Sequence, residues 1–193
     1  FIDGIPADSE DQRWYTAVVI DRLMFLWFLQ EKGFLDNQRK YLQQRLQTHL
    51  DGDNAQSFYK RFLSPLFFQG FAQERTPETA TTIQAAFGNV PYLNGGLFAQ
   101  HELEQRYGEA LDIADTAFQK LFAFFDEWEW HLDERPLQSG KEINPDVLGY
   151  IFEKFVNQKQ MGAYYAKEDI TEYISKNTII SALLGKVRAE HPA

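Results

Sequence analysis

The sequence predicts a mostly α-helical fold: a multi-helical, bundle-like domain with long loops and at most a short strand pair. Apolar residues recur at helical spacing along several stretches, and residues that cap helices precede them. The chain has 193 residues, of which 17 are phenylalanine, and an aromatic share of 16%. This is enough apolar material for a substantial core in one domain, or in one domain and a small lobe.

The first predicted element is a long helix that begins after Ser9. The order Ser-Glu-Asp-Gln at 9–12 is typical of a capping box, in which the first and fourth side chains bond to each other's backbone N–H groups. Helical spacing continues to about Lys32, and Gly33 is expected to end the helix. Because residues 23–29 are apolar on all sides, this helix is expected to lie at the centre of the fold.

A second and a third helix are predicted before residue 72. Asp36 is expected to cap the second helix and residues 51–53 to end it, and its apolar side carries Leu42, Leu46 and Leu50. The third helix is predicted over residues 55–71, where Pro65 is expected to kink or split it. Its inner face carries Phe58, Phe62 and Leu66.

The next part of the chain is predicted to consist largely of loops. Turn-forming residues dominate residues 73–98, and the Thr76-Pro77 pair is one of them. Beyond these loops, helical spacing returns from Asp115 through Phe125, and residues 128–132 are predicted to form a short extended piece.

Composition argues against several kinds of site. The chain contains no cysteine, which argues against a disulfide scaffold and cysteine-ligated zinc and fits the reducing cytoplasm. No metal is assigned, because the four histidines lack metal-ligand spacing: His49, His101, His131 and His191. The first residues do not show the basic and apolar regions of a leader sequence, and the densest apolar run, residues 23–29, is too short to span a bilayer. The start at Phe1 rather than Met predicts a portion of a longer protein.

The charge distribution argues against a domain that mainly grips DNA. The net charge is −9, whereas phosphate neutralisation requires cations. Residues 100–140 carry ten acidic and three basic side chains, and residues 30–75 carry seven basic and five acidic ones. Only the latter region is a candidate DNA contact, through Arg39, Lys40, Arg45, Lys60 and Arg61. The alternative is an ordinary solvated helix face, which we favour.

Two short motifs are interpreted as turns rather than as sites. Asn-Val-Pro-Tyr at 89–92 is close to the Asn-Pro-Pro-Tyr motif of amino-methyltransferases, whose asparagine and aromatic ring hold a flipped base. One proline is missing, so a structural turn is favoured. Asn-Gly-Gly at 94–96 lacks the residues that follow in phosphate-binding loops. No Gly-x-Gly occurs in the chain, and therefore a Rossmann-type cofactor strand is not predicted within it.

The most informative stretch runs from Asn144 to Ile170. Asn144 is expected to cap a helix whose apolar side consists of Leu148, Ile151, Phe152 and Phe155. A polar linker then leads to Gly-Ala-Tyr-Tyr-Ala at 162–166, and a further helix is predicted after Lys167.

This order resembles the segment just upstream of the catalytic domain in large N6-adenine DNA methyltransferases of the type IIG restriction–modification and phage-defence kind. In that family a Gly-x-Tyr-Tyr/Phe-Thr-Pro loop, motif X, forms one wall of the S-adenosylmethionine pocket. Residues 22–33 are similar to the family's apolar N-terminal helix ending in lysine and glycine. Residues 91–98 are similar to its proline-aromatic-Asn-Gly-Gly-Leu-Phe turn.

The resemblance implies a cofactor-binding role for Gly162, Ala163, Tyr164, Tyr165 and Ala166, with S-adenosylmethionine bound in the full-length parent. An aromatic face beside the sulfonium contributes roughly 0.5–2 kcal/mol, and Tyr165 matches the last aromatic of the motif. The alternative is that both tyrosines pack between the last two helices. The chain departs from the motif where Ala166-Lys167 replaces Thr-Pro, which removes a threonine able to cap the next helix.

The sequence therefore leaves two hypotheses for the function. In the first, residues 1–140 form a helical connector domain and residues 141–193 carry the motif X-like loop into a catalytic domain beyond this sequence. The parent is then expected to methylate adenine, to contact DNA through its other parts and to work with protein partners in a defence complex. No membrane segment is predicted in the chain, and no catalytic residue is assigned within it. In the second, the chain is a helical protein-interaction or scaffold module without a ligand.

Overall fold

The computed structural model describes residues 2–93, 96–131, 139–153 and 168–190. These residues belong to two compact units, Phe1–Phe152 and Glu153–Ala193. Most of the described residues are helical and the few strands are two residues long, so the predicted mostly α-helical class is confirmed. The functional division at residue 140 stays a prediction.

Six α-helices are described in the first unit: α1 Glu10–Glu31, α2 Tyr41–Leu50, α3 Pro77–Phe87, α4 Glu102–Tyr107, α5 Asp115–Asp126 and α6 Pro145–Phe152. Between α2 and α3 lies a helix at 58–71, here called the wide helix, which contains the π-helical turns Tyr59–Leu63 and Leu66–Phe71. The short 3-10 turns are Gly96–Phe98 and Gly108–Ala110.

The described strands form two small pairs. Strand β1, Ile2–Asp3, pairs antiparallel with β2, Asp112–Ile113. Strand β3, Glu129–Trp130, pairs in parallel with β4, Glu142–Ile143. The extended piece predicted at 128–132 is therefore confirmed over the two residues of β3.

Helix α1 is the central element, as its apolar run predicts. The Ser9 hydroxyl accepts from the Gln12 backbone N–H at 3.0 Å, but the Gln12 side chain accepts from Asp8 rather than from Ser9. The cap is thus a capping box displaced by one residue. Helix α1 ends at Glu31, and Gly33 has a φ of +75°, which suits glycine after a helix end.

The core is dominated by aromatic rings packed around α1. The fully buried Trp27 ring lies 5.5 Å from Phe122, 5.2 Å from Phe125 and 6.2 Å from Trp130, measured between centroids. Such tilted and edge-on contacts add to the stabilisation from burial itself. They join α1 to α5 and β3, and so they fix the middle of the first unit.

The predicted cap of the second helix is wrong. Helix α2 begins at Tyr41, and no side-chain cap precedes it. Asp36 instead has a left-handed φ of +53°, and its carboxylate accepts from the Asn89 backbone N–H at 2.9 Å. The aspartate is used to hold the end of α3, a long-range contact that local capping rules do not reveal. Leu42 and Leu46 are buried as predicted, whereas Leu50 is exposed at the end of α2.

Pro65 does not split the wide helix. A proline inside an α-helix removes one N–H donor and crowds the preceding turn. Here the turns on both sides widen, because Ser64 donates to the Tyr59 carbonyl and Ala72 to the Phe67 carbonyl at 3.1 Å, each five residues back. The wider turns accommodate the proline, and the helix continues from 58 to 71.

The loop predicted over residues 73–98 contains the eleven-residue helix α3. The Thr76 hydroxyl accepts from the Thr79 backbone N–H, and the Thr79 hydroxyl accepts from the Thr76 backbone N–H at 2.7 Å. Thr76-Pro77 is therefore a capped helix start rather than a turn. The reason is that proline is favoured in the first turn of a helix, where its missing N–H has no partner to lose.

The second unit is described over α7, Glu168–Ser175, a π-helical turn, Lys176–Ile180, and α8, Ser181–Glu190. Helix α7 follows Lys167, as predicted. Described side chains from 170 to 190 are all exposed. Among the helices of the described ranges, none has the length and apolar character needed to cross a membrane.

A glycine substitution tests the packing of β1 against the turn after α4. Gly4 has a φ of +85°, and a Cβ there would overlap the Ala110 carbonyl group, whereas Gly108, with a φ of +51°, faces open space. We expect Gly108→Ala to lower the free energy of unfolding by roughly 1–2 kcal/mol, because alanine is strained at a positive φ. Gly4→Ala should lower the free energy of unfolding clearly more, since it adds steric overlap with the Ala110 carbonyl group to the penalty of a positive φ. Urea unfolding of both variants measures this; equal losses would contradict the close approach at Gly4.

Candidate functional site

A buried ion pair joins α1 to α4. The Arg22 side chain is 1% exposed, and its guanidinium donates to both carboxylate oxygens of Glu104, at 2.6 and 3.2 Å. A guanidinium and a carboxylate in this two-pronged geometry form a strong, directional contact. Removal of either partner would leave a buried charge alone, so the pair fixes how α4 lies on α1.

The same guanidinium also holds the turn that follows residue 95. The Arg22 Nε donates to the Leu97 carbonyl at 2.8 Å, and its Nη2 donates to the Ala99 carbonyl at 2.9 Å. Between them, the Phe98 ring is buried and lies 4.9 Å from Phe71. Two of the stretches that carry the family resemblance, residues 22–33 and 91–98, are therefore joined in space. Asn94 and Gly95 lie outside the described residues.

Two tyrosines extend the Arg22–Glu104 pair to the wide helix. The Tyr15 hydroxyl donates to Glu104 at 2.6 Å and lies 2.5 Å from the Tyr59 hydroxyl. Burial, the largest cause, raises the pKa of Tyr15 and raises the pKa of Tyr59 to about 12. Both side chains therefore stay neutral at physiological pH. The cluster is a positioning network with paired members rather than an acid–base pair.

Sequence reasoning missed this network because its members are far apart in the chain. Arg22 and Glu104 are 82 positions apart, and Tyr15 and Tyr59 are 44 apart. One signal was available: an arginine at the start of an apolar helical run, where a buried charge must find a partner. The identity of that partner could not be read from spacing.

The Asn-Val-Pro-Tyr segment at 89–92 has the contacts of a structural turn. The Val90 side chain is buried, and its carbonyl accepts from the Arg75 guanidinium at 3.0 Å. The Asn89 carbonyl accepts from the Asp36 backbone N–H at 2.8 Å. These bonds tie α3 back to the end of α1, in agreement with the structural interpretation of this tetrapeptide.

The basic residues between 30 and 75 are partly used within the fold. The Arg45 guanidinium lies 5.0 Å from the Tyr41 ring centroid, a cation–π contact. The Lys60 ammonium donates to the Glu109 carbonyl at 2.8 Å and lies 3.8 Å from Asp112. Two of the five candidate cations are thus engaged by neighbouring groups. This favours a solvated, structural face over a dedicated DNA surface.

The proposed cofactor residues, Gly162, Ala163, Tyr164, Tyr165 and Ala166, lie outside the described residues. The structure does describe the helices on either side. The Asn144 side chain accepts from the Val147 backbone N–H at 2.9 Å, which confirms the predicted cap of α6. Leu148 is buried and Ile151 packs against the core, so α6 is anchored in the first unit. The side chain of Phe152 and all of Phe155 lie outside the described ranges.

No group of three His, Asp or Glu side chains in the described ranges could hold a metal ion. His49 contacts Asp115 at 3.1 Å, and His131 lies 3.4 Å from Glu142. Asp115, at the predicted start of α5, also accepts from the Phe58 backbone N–H at 2.7 Å. The histidines described here therefore take part in contacts between elements; His191 is not among the described residues.

Comparison with known proteins gives this helical chain a family. A family described as a domain of unknown function, DUF7814, matches residues 14–180, and the chain belongs to it. The chain is also 30% identical over 188 residues to a Methanocaldococcus jannaschii protein provisionally named a type II restriction enzyme and methyltransferase. That match covers 92% of this chain and 16% of the relative's length. No solved structure matches the chain significantly.

The comparison confirms that the chain is related to a region of a protein named as a restriction enzyme and methyltransferase. The archaeal relative carries both activities in its name, and the matched region is only a small part of it. The adenine specificity, the motif X assignment and the cofactor contacts are finer statements that the comparison leaves untested.

Proposed function

We propose that this chain is the helical portion of an adenine-specific DNA methyltransferase in a restriction–modification or phage-defence system. The observation that carries the proposal is the match of 92% of the chain to a protein named as a restriction enzyme and methyltransferase. The three stretches similar to N6-adenine methyltransferases occur in the family's order. The contacts of Arg22 support their relevance, since they hold two of the three together.

The role proposed for the loop at 162–166 is to form one wall of the S-adenosylmethionine pocket in the longer protein. When bound, this cofactor supplies an electrophilic methyl group on a positively charged sulfur. The Tyr165 ring is proposed to face that sulfur, since aromatic faces attract cations. Backbone N–H groups at the start of α7 are proposed to receive the cofactor's carboxylate, as helix N-termini commonly do for anions.

Catalysis itself is proposed to lie in other parts of the longer protein. The chain contains no Gly-x-Gly, and its nearest catalytic tetrapeptide, at 89–92, is a structural turn. Its net charge of −9 disfavours a phosphate-gripping role, so DNA contacts are assigned to those other parts as well. The work proposed for this chain is to contribute the wall of the cofactor pocket at residues 162–166.

The cofactor role predicts a specific loss in the full-length protein. Tyr165→Ala should weaken S-adenosylmethionine binding by roughly 5- to 30-fold, which corresponds to about 1–2 kcal/mol for a lost aromatic–cation contact. Tyr165→Phe keeps the ring and should bind like the wild type. Titration calorimetry measures the affinities, and Tyr150→Ala on the exposed side of α6 is the matched control.

Thermal unfolding of the same variants separates this role from simple packing. A packed tyrosine contributes to stability through burial, and its truncation lowers the melting temperature. If Tyr165→Ala lowers the melting temperature and leaves the affinity unchanged, the loop is part of a core and the cofactor assignment is wrong. An interaction module without a ligand would show no binding in any variant.

A further inference from the structure

A pocket in the first unit lies between the wide helix, α4 and the turn that follows α4. Its volume is about 360 Å³, within the range of roughly 300–1,000 Å³ that small-molecule sites occupy. The lining residues differ in exposure, and the buried, half-buried and exposed ones are here called the floor, the wall and the mouth. All of them belong to the first unit, whereas the loop at 162–166 belongs to the second.

The floor of the pocket is part of the Arg22 network. Tyr59 and Glu104 line the pocket and are buried. The Arg22 guanidinium donates to both oxygens of the Glu104 carboxylate, and the Tyr15 hydroxyl donates to the same group. The charge of the carboxylate is thus balanced within the protein, and the floor is held in place before a ligand arrives. A site ordered in advance binds more tightly, because fewer groups lose freedom on binding.

The wall of the pocket is a part of the wide helix with unusual geometry. Ser64 and Pro65 line the pocket between the two π-helical turns, and Phe68 lines it within the second. Such turns are rare, and they occur frequently at functional sites. The Phe68 ring is half-buried, and the Arg22 guanidinium lies 5.5 Å from its centroid, a contact that holds the ring. A held aromatic ring that remains partly accessible is a surface on which a nucleobase can stack.

The mouth of the pocket carries hydrogen-bonding groups that the fold does not use. Gln56, Gln69 and Gln100 are exposed, and their amides bond to no other described residue. An amide presents a donor beside an acceptor, which is the pattern with which glutamine reads the edge of adenine. Glu109 is also exposed there, and its carboxylate has no partner among the described residues. A carboxylate suits ribose, because it accepts hydrogen bonds from the sugar hydroxyls.

The charges around the pocket disfavour a ligand that carries phosphate. Lys60 is the one cation among the described lining residues, and its ammonium donates to the Glu109 carbonyl at 2.8 Å and lies 3.8 Å from Asp112. Residues 100–140, which supply one side of the pocket, carry ten acidic and three basic side chains. A nucleotide or a nucleic-acid strand would bring phosphates that require cations. An uncharged ligand therefore fits this environment better.

We propose that this pocket binds an uncharged adenine nucleoside. The base stacks on Phe68, the glutamine amides at the mouth contact the edge of the base, and the Glu109 carboxylate accepts from the ribose hydroxyls. The Arg22 network then has two roles, since it joins α1 to α4 and also holds the floor of this site. The site is additional to the cofactor pocket proposed above and does not depend on it.

Titration calorimetry on the full-length protein tests the site with adenosine as the probe. Saturating S-adenosylmethionine is added first, so that the proposed cofactor pocket is filled. We expect adenosine still to bind, and Phe68→Leu, which stays apolar but lacks the ring, to weaken binding by roughly 5-fold or more. Gln100→Ala should weaken it by about 2- to 10-fold. The matched control is Gln105→Ala, which removes an exposed amide of α4 that does not line the pocket and should leave binding unchanged.

A comparison of two nucleosides tests the contact of Glu109 with ribose. The wild type should bind adenosine more tightly than 2′-deoxyadenosine, because the deoxy sugar lacks one of the hydroxyls. Glu109→Gln should reduce this preference, since a neutral amide oxygen accepts less strongly than a carboxylate. If the substitution weakens both nucleosides alike, Glu109 does not contact the ribose.

Three results would overturn the site. The first is the absence of adenosine binding to the saturated protein at concentrations up to about 1 mM. The second is adenosine binding that S-adenosylmethionine abolishes and that Phe68→Leu and Gln100→Ala leave unchanged; this would assign the nucleoside to the cofactor pocket and leave the proposed function intact. The third is equal affinity for ribose alone, which would assign the pocket to sugars. Urea unfolding of each variant is the control for stability.

Discussion

Arg22→Met is expected to destabilise the first unit by about 3–5 kcal/mol, because it leaves the buried Glu104 carboxylate without its cation. Methionine fills much of the same volume, so the loss reports the charge rather than a cavity. In the double variant Arg22→Met, Glu104→Leu, the free energy of unfolding should fall by clearly less than the sum of the two single losses, since two apolar side chains replace both charges. Urea unfolding followed by tryptophan fluorescence gives the four free energies.

The same variant should also loosen the turn at 96–99. The Leu97 and Ala99 carbonyls each accept a hydrogen bond from the Arg22 guanidinium and lose it in Arg22→Met. Hydrogen exchange in this turn should therefore rise before the rest of the unit unfolds. If each single variant lowers the free energy of unfolding by less than about 1 kcal/mol, the Arg22–Glu104 pair does not stabilise the packing of α4 on α1 as its burial indicates.

Asp21 is expected to make the stability of the first unit fall as the pH rises. Its side chain is 3% exposed, and its Oδ2 has no hydrogen-bond partner in the described part of the protein. Burial raises the pKa of this carboxyl from 3.8 to about 7. Between these values the folded protein holds a proton that the unfolded chain releases. The contribution of Asp21 to stability is therefore fully present below about pH 4, declines by about 2–4 kcal/mol between pH 4 and pH 7, and does not change further above pH 7.

Asp21→Asn isolates this effect from other titrating groups. Asparagine is similar in shape and carries no charge, so the variant should match the wild type near pH 4 and exceed its unfolding free energy by about 2–4 kcal/mol at pH 8. Denaturant unfolding of both proteins at several pH values gives the difference directly. A difference that does not change with pH would show that Asp21 is ionised in the folded state.

The sequence predicted the elements whose signals are local. The polar start and apolar run of α1 placed that helix within a residue or two, and Asn144 correctly marked the start of α6. The missed helix α3 shows the limit of the turn-former rule, because threonine followed by proline also starts helices. Asp36 shows a second limit, since a capping residue can be used by a distant segment instead.

The candidate site was harder to predict from the sequence because its polar contacts join residues that are far apart in the chain. Nothing in the spacing around Arg22 indicates that its partners are Glu104 and two carbonyls more than 70 positions away. The similarity of residues 22–33 and 91–98 to one family did suggest that both matter, and their contact gives a physical reason. The loop at 162–166 stays a prediction that rests on the resemblance.

The measurement that tests the central proposal most directly is methyl transfer by the full-length protein. The protein is incubated with labelled S-adenosylmethionine and mixed-sequence duplex DNA, and the DNA is digested to nucleosides and separated. We expect the label in N6-methyladenine, and no label when residues 1–193 are used alone. Label in cytosine, or none with the full-length protein, would contradict an adenine methyltransferase; label in adenine with residues 1–193 alone would contradict the assignment of catalysis to the rest of the protein.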